Sequence, residues 1–251
     1  MSEPSPLLRL EQVNKAFGSL VVTRDVSLDL AAGQRHVIIG PNGAGKTSLI
    51  NQIGGQLQPD SGRILLDGRD VTRLTPEARA QRGLARTFQK NTLFQRLSTF
   101  ENVRLGVQAR FGSTFDLASR ALGRDDINDR AQDILARLRL NHLADKRVSS
   151  ISYGDQRQLE VAVALAGAPR ILLLDEPTSG LSPAETGQLV DLIRTLPAEL
   201  GVLMIEHDME VVFSLADRVT VLYYGEVLAS GLPDDVAGNE RVREVYLGAS
   251  I

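Results

Sequence analysis

The sequence predicts an α/β protein with a mainly parallel core sheet, an antiparallel β part and an inserted helical block. Three observations carry this. First, Gly40-Pro41-Asn42-Gly43-Ala44-Gly45-Lys46-Thr47 fits G-x-x-x-x-G-K-[ST], a phosphate-binding loop. Second, apolar runs of strand length alternate with helical patterns in the last third of the chain, as βαβ units require. Third, the stretch between about Thr75 and Ala168 loses the strand pattern and reads as mostly helical.

The loop sits in the context it needs. His36-Val37-Ile38-Ile39 reads as a buried strand before it, and Ser48-Leu49-Ile50-Asn51-Gln52-Ile53 as a helix after it. Glycines let the backbone approach phosphates, and successive N–H groups with a helix N-terminus attract anionic charge. Lys46 would reach the β- and γ-phosphates of a nucleotide, and Thr47 would bind Mg²⁺ through its hydroxyl.

Ahead of the loop, Leu7–Glu11 and Val26–Leu30 suit half-buried antiparallel strands, and Asn14 to Ser19 reads as the loop between early strands. Arg63–Asp67 is a further strand, entered from the turn Pro59–Gly62 and left through Asp67-Gly68. On this reading the loop-bearing strand lies among antiparallel strands. Within the helical block, Glu77 to Arg82 is a short helix after Pro76, while Phe88 to Phe100 has no clean period. Arg110 to Arg124 reads as loop or weak helix. Asp126 to Leu140 and Gln156 to Ala166 are amphipathic helices.

The core resumes with Ile171–Asp175, Val202–Glu206 and Val219–Tyr223, continuous apolar runs of strands covered on both faces. Helical patterns at Pro183 to Leu196 and Met209 to Ala216 separate them, and one or two short helices close the chain, the last over Glu240 to Leu247. The expected division is a core over 7–88 and 168–231, a helical subdomain over 89–167 and a tail over 232–251, all one domain.

Bulk composition narrows the function. The chain has 251 residues, 43% hydrophobic and 24% charged, so it can bury a sizeable core. Net charge of -3 argues against a nucleic-acid partner. Without cysteine there is no disulfide or thiolate metal site. Met1 to Pro6 does not resemble a signal peptide, and no apolar run reaches the roughly 20 residues that span a bilayer. A cytoplasmic location is expected, peripheral if at a membrane.

Two further segments carry chemistry. Ile171–Asp175 delivers Asp175 and Glu176 to the C-terminal end of a strand, where open α/β sheets bind ligands. Asp175 would hold Mg²⁺, directly or through water, and Glu176 would orient the attacking water. In Ile151-Ser152-Tyr153-Gly154-Asp155-Gln156, Ser152 is a plausible N-cap, and with Gly154 at a helix start it offers a second phosphate surface.

In order along the chain, the loop at 40–47, the Ser152–Gly154 segment, Leu172-Leu173-Leu174-Asp175-Glu176-Pro177 and His207 together resemble an ABC-transporter ATP-binding subunit. Gly83–Gln89, Thr99–Val103, Arg157–Glu160 and Val245–Gly248 resemble the branched-chain amino acid importer group in particular. The resemblance covers nearly the whole chain.

The resemblance implies the ABC type of P-loop fold and an ATPase that uses ATP and Mg²⁺. It places Gly40 to Ser48 around the ATP phosphates. Gln89 would touch Mg²⁺ and the attacking water, and His207 the γ-phosphate. Phe17 would stack on adenine, the alternative being a loop aromatic that covers the core. Ser152 and Gly154 would bind the γ-phosphate of ATP held by an opposite subunit. Leu93, Phe94 and Phe100 would either receive a short helix of a membrane subunit or fill the helical core.

The implied partners are two membrane-spanning permease subunits, a second ATP-binding subunit (a paralogue or a second copy) and, indirectly, a periplasmic or extracellular substrate-binding protein. The implied location is the cytoplasmic face of the inner membrane. The cargo would be branched-chain amino acids or related small polar solutes. The alternatives are the ATPase of a lipid or lipopolysaccharide exporter, or a non-transport P-loop ATPase. Two departures stand out: Tyr153 replaces the first of two adjacent glycines, and Ser182 stands where many relatives have aspartate.

Overall fold

A computed structural model describes residues 5–87, 93–111 and 123–248. In chain order its elements are β1 (Leu8–Phe17), β2 (Leu20–Leu30), β3 (Arg35–Ile39), α1 (Lys46–Gly54), β4 (Ser61–Leu66), β5 (Arg69–Asp70), α2 (Pro76–Ala80) and β6 (Leu84–Arg86). Then follow α3 (Thr99–Phe111), α4 (Gly123–Arg137), α5 (Tyr153–Leu165), β7 (Ile171–Asp175), α6 (Pro183–Arg194) and β8 (Gly201–Ile205). The chain closes with α7 (Met209–Leu215), β9 (Arg218–Tyr223), β10 (Glu226–Gly231), α8 (Pro233–Gly238) and α9 (Glu240–Gly248). These residues form two compact units: Met1–Leu84 with Arg170–Pro177 and Pro197–Ile251, and Ala85–Pro169 with Thr178–Leu196.

The first unit holds two sheets. The six-stranded sheet runs β10-β9-β3-β8-β7-β6, and β3 pairs in parallel with both β8 and β9. Every residue of β7 and β8 is buried, which explains their unbroken apolar runs. The four-stranded sheet runs β2-β1-β4-β5 with antiparallel pairs throughout. Its inward leucines and valines join Leu49, Ile50 and Ile53 of α1 in one apolar cluster.

Two expectations are corrected here. The strand before the phosphate loop is not among antiparallel strands: β3 lies at the centre of the parallel sheet, because proximity along the chain does not set sheet order. Nor are residues 14–19 a loop. Strand β1 runs on to Phe17, and only Gly18-Ser19 turns into β2. Register shifts around Val13 and Lys15 disturb the alternation there. Asn14 is absorbed on the solvent side by donating to the Gln12 carbonyl and to Asp25.

Helix α1 is anchored from its far end. The buried Arg79 guanidinium donates to the Gln52 and Ile53 carbonyls, both at 2.6 Å, and to Thr72 and Leu74 carbonyls. It thereby satisfies orphan carbonyls at the helix C-terminus. Burial pushes its pKa down to about 10.

In the second unit, α3 packs on α4 and α5, and α5 on α6. Val103, Val107, Ala131, Leu135, Leu159, Ala162 and Leu189 are buried. The sequence pattern does not predict α3, whose apolar stripe is weak. Its start is fixed by reciprocal bonds: Glu101 N–H to Ser98 Oγ, and Ser98 N–H to the Glu101 carboxylate. The stretch 110–124, expected as loop or weak helix, overlaps α3 and α4 at its ends, and residues 112–122 lie outside the described residues.

Candidate functional site

The parallel sheet gathers the nucleotide-site candidates of the first unit. Ile205 at the end of β8 lies opposite Ile38 on one side and Asp175 on the other. The phosphate loop after β3, His207 after β8 and Asp175-Glu176 after β7 therefore leave neighbouring strand ends, about 5 Å apart per strand.

Close packing dictates two of the loop's three glycines, Gly40 and Gly45. A Cβ on Gly40 would lie 2.2 Å from the Leu222 carbonyl oxygen, and one on Gly45 2.1 Å from that of Val22. Both residues also have positive φ. Ala44 is buried, and its carbonyl accepts from Gly225 N–H at 3.0 Å, pinning the loop to the β9–β10 turn. Gly45 caps α1 and, having no side chain, gives the first N–H groups of the helix no side-chain acceptor of its own; a helix start with free N–H groups favours anionic groups.

Lys46 is buried and donates to the Gly40 and Pro41 carbonyls at 2.7 and 3.0 Å, folding back over its own loop. Burial holds its pKa below the usual lysine value, while the charges of Glu176 and Asp175 pull it back up. Thr47 is exposed and Ser48 partly so; Pro41, Asn42 and Gly43 lie at the loop's accessible side.

Asp175 is buried at the end of β7. Glu176 follows with φ of 48°, the left-handed region that a residue with a Cβ seldom occupies, and its N–H donates to the Ile205 carbonyl at 3.0 Å. His207 is exposed, and its N–H donates to the fully buried Glu206. Phe17 at the end of β1 is 53% exposed, so it does not fill the core; Lys15 Nζ lies 5.4 Å from its ring centre. Gln89 lies outside the described residues.

The other pair of candidates belongs to the second unit. Ser152 caps α5 by accepting from Asp155 N–H at 3.0 Å. The Tyr153 hydroxyl accepts from Arg157 at 2.5 Å, with the guanidinium 4.9 Å from the ring centre, and Arg157 also bonds the buried Glu160. That network turns the large side chain back along its helix. Leu93 is buried whereas Phe94 is 59% exposed, so the apolar trio divides between core and surface. The Asn102 side chain fixes Phe94 by accepting from its N–H and donating to its carbonyl.

Sequence reasoning missed Glu185. One carboxylate oxygen accepts from Gly154 N–H at 3.1 Å; the other accepts from Ser182 N–H and Oγ at 3.0 and 2.7 Å. Those bonds, led by the Ser182 N–H, hold its pKa below the usual glutamate value. The pattern Ser182-Pro183-Ala184-Glu185 is a readable capping box. Its reach to Gly154, across 31 positions, is not readable from either segment.

Residues 23–179 match the ABC transporter family model, more than half of the chain, so this protein belongs to the ABC transporter family. It is an ATP-hydrolysing, nucleotide-binding member. Residues 226–250 match the model of the branched-chain amino acid ATP-binding cassette transporter C-terminus. The high-affinity branched-chain amino acid transport ATP-binding protein BraF of Pseudomonas aeruginosa is 36% identical, covering 97% of this chain and 98% of BraF. The lipopolysaccharide export system ATP-binding protein LptB of Acidithiobacillus ferridurans is also 36% identical, over 97% of this chain and 98% of LptB. A solved ATP-binding cassette of an ABC transporter in its ADP conformation superposes with TM-score 0.86 at 29% identity, covering 98% of this chain and all of that one.

Proposed function

We propose that this chain is the ATP-hydrolysing subunit that powers import of branched-chain amino acids, or related small polar solutes, across the inner membrane. The observation that carries this is the 36% identity to BraF over 97% of the chain. The match of residues 226–250 to the branched-chain transporter C-terminus supports it over lipopolysaccharide export, for which the similarity to LptB speaks.

In this reading Lys46 and the backbone N–H groups of residues 42–48 hold the ATP phosphates, and exposed Phe17 stacks on adenine. Thr47 and Asp175 are hard oxygen donors, a set that suits Mg²⁺ completed by phosphates and water. No group of three or more His, Cys, Asp or Glu side chains that could hold a metal ion occurs among the described residues, so these two would act with the nucleotide and not as a protein cage. Mg²⁺ would neutralise charge on the phosphates. Glu176 orients and deprotonates the attacking water, Gln89 helps to position it, and His207 donates to the γ-phosphate.

Ser152 and Gly154 complete the site on ATP held by a second cassette, a paralogue or another copy. Two permease subunits anchor the pair at the cytoplasmic face, with Phe94 among the contacts, and a substrate-binding protein delivers cargo. No helix among the described residues is long and apolar enough to cross a membrane.

Affinity purification from membranes tests the proposal, followed by reconstitution and uptake of labelled leucine. Co-purification of two permeases with ATP-dependent leucine uptake is expected. Recovery with lipopolysaccharide-export components would transfer the protein to the other reading.

A further inference from the structure

The proposed role of Gly154 creates a conflict that the structure exposes. A γ-phosphate arriving at Ser152 and Gly154 needs the Gly154 N–H. That N–H already donates to Glu185 at 3.1 Å. The Glu185 side chain lies tight against this residue, since a Cβ at 154 would lie 2.7 Å from both its Cγ and its Oε1. An ionised carboxylate and a phosphate cannot share one donor without strong like-charge repulsion.

We propose that Glu185 is a built-in competitor of the γ-phosphate: it occupies the Gly154 N–H in the open subunit and must withdraw before the ATP site closes. The inference rests on the reading that Ser152 and Gly154 bind ATP held by a second cassette. The two oxygens of the carboxylate divide the work. Oε2 stays on Ser182 N–H and Oγ, which keeps the cap of α6, while Oε1 alone has to leave Gly154. Withdrawal is therefore a small rotation of one side chain and costs no helix cap. With ADP opposite, no phosphate reaches Gly154 and the contact persists. Glu185 thus sets the ATP concentration at which the site closes.

The test uses the assembled transporter. Glu185→Ala should lower the ATP concentration for half-maximal hydrolysis about tenfold. Binding of ATP to the isolated chain, which depends on Lys46, should not change. Glu185→Gln keeps an acceptor on Ser182 without the charge, so it guards against misfolding and should shift half-saturation in the same direction by less. If half-saturation rises and turnover falls in both variants, the carboxylate is a support and the proposal is overturned. Unchanged half-saturation overturns it as well. Ser152→Ala, measured in parallel, separates the two levels. Should Ser152→Ala leave half-saturation and turnover intact, the reading of the segment fails. Should it impair both while Glu185→Ala does not sharpen ATP response, only the competitor role fails.

Discussion

Two helix starts in this protein carry glycines and are assigned to phosphate, yet they are finished differently. At α1 the cap residue is Gly45, no side chain among the described residues bonds to it, and Lys46 folds back to its own loop. At α5, Ser152 caps Asp155 N–H and Glu185 takes Gly154 N–H. The first is prepared for an external anion; the second is satisfied from within. At α1 only the Lys46 ammonium has partners to give up, the Gly40 and Pro41 carbonyls, whereas at α5 the Gly154 N–H itself must first leave Glu185. On the proposed reading, the contrast would give nucleotide capture to the phosphate loop and the closing step to the start of α5.

The largest expected effect breaks the chemistry and spares both helix starts. Glu176→Gln should cut turnover in the assembled transporter about a thousandfold while ATP affinity is kept. Turnover within a few-fold of the parent would remove Glu176 as the base. Next, Gly45→Ala drives a methyl against the Val22 carbonyl, 2.1 Å away, at a φ of 100°. ATP affinity of the isolated chain, followed by calorimetry, should fall about a hundredfold. An equal loss in the Ser152→Ala chain would erase the contrast, because the α5 start should contribute nothing to capture.

The smallest effect concerns β3, the strand that delivers the loop. His36 is buried, bonded to Thr220 Oγ1 at 2.7 Å and to the Asp29 carbonyl, and desolvation lowers its pKa from 6.5 to about 4. The folded state thus binds its proton less readily than the unfolded state. Stability is present in full above pH 6.5 and is lost as pH falls from 6.5 towards 4. At pH 5 this one group should cost about 2 kcal/mol. His36→Gln should flatten that part of the pH profile in chemical denaturation, and a profile as steep as the parent's would refute the buried neutral imidazole.

Local and covalent neighbours made the first helix start legible in the sequence. Glycines, lysine and threonine lie within eight consecutive residues between a strand and a helix, and one template holds them all. The mostly apolar runs of β7, β8 and β9 were readable for a similar reason, since burial on both faces admits few polar residues, Thr220 of β9 among them. The end of β1 was not readable, because pairing with β2 overrides its polar residues. The central place of β3 depends on partners more than 150 residues away. The bond from Gly154 to Glu185 was hidden likewise: the capping box explained Glu185 locally and gave no reason to look further.

In the proposed arrangement, ATP captured by the loop of one chain is closed over by the α5 start of another. Turnover per chain at saturating ATP, compared between the dilute isolated protein and the assembled transporter, tests it most directly. Stoichiometric ATP binding is expected in both states, with turnover about tenfold higher on assembly. Equal turnover in the dilute chain, independent of protein concentration, would contradict it.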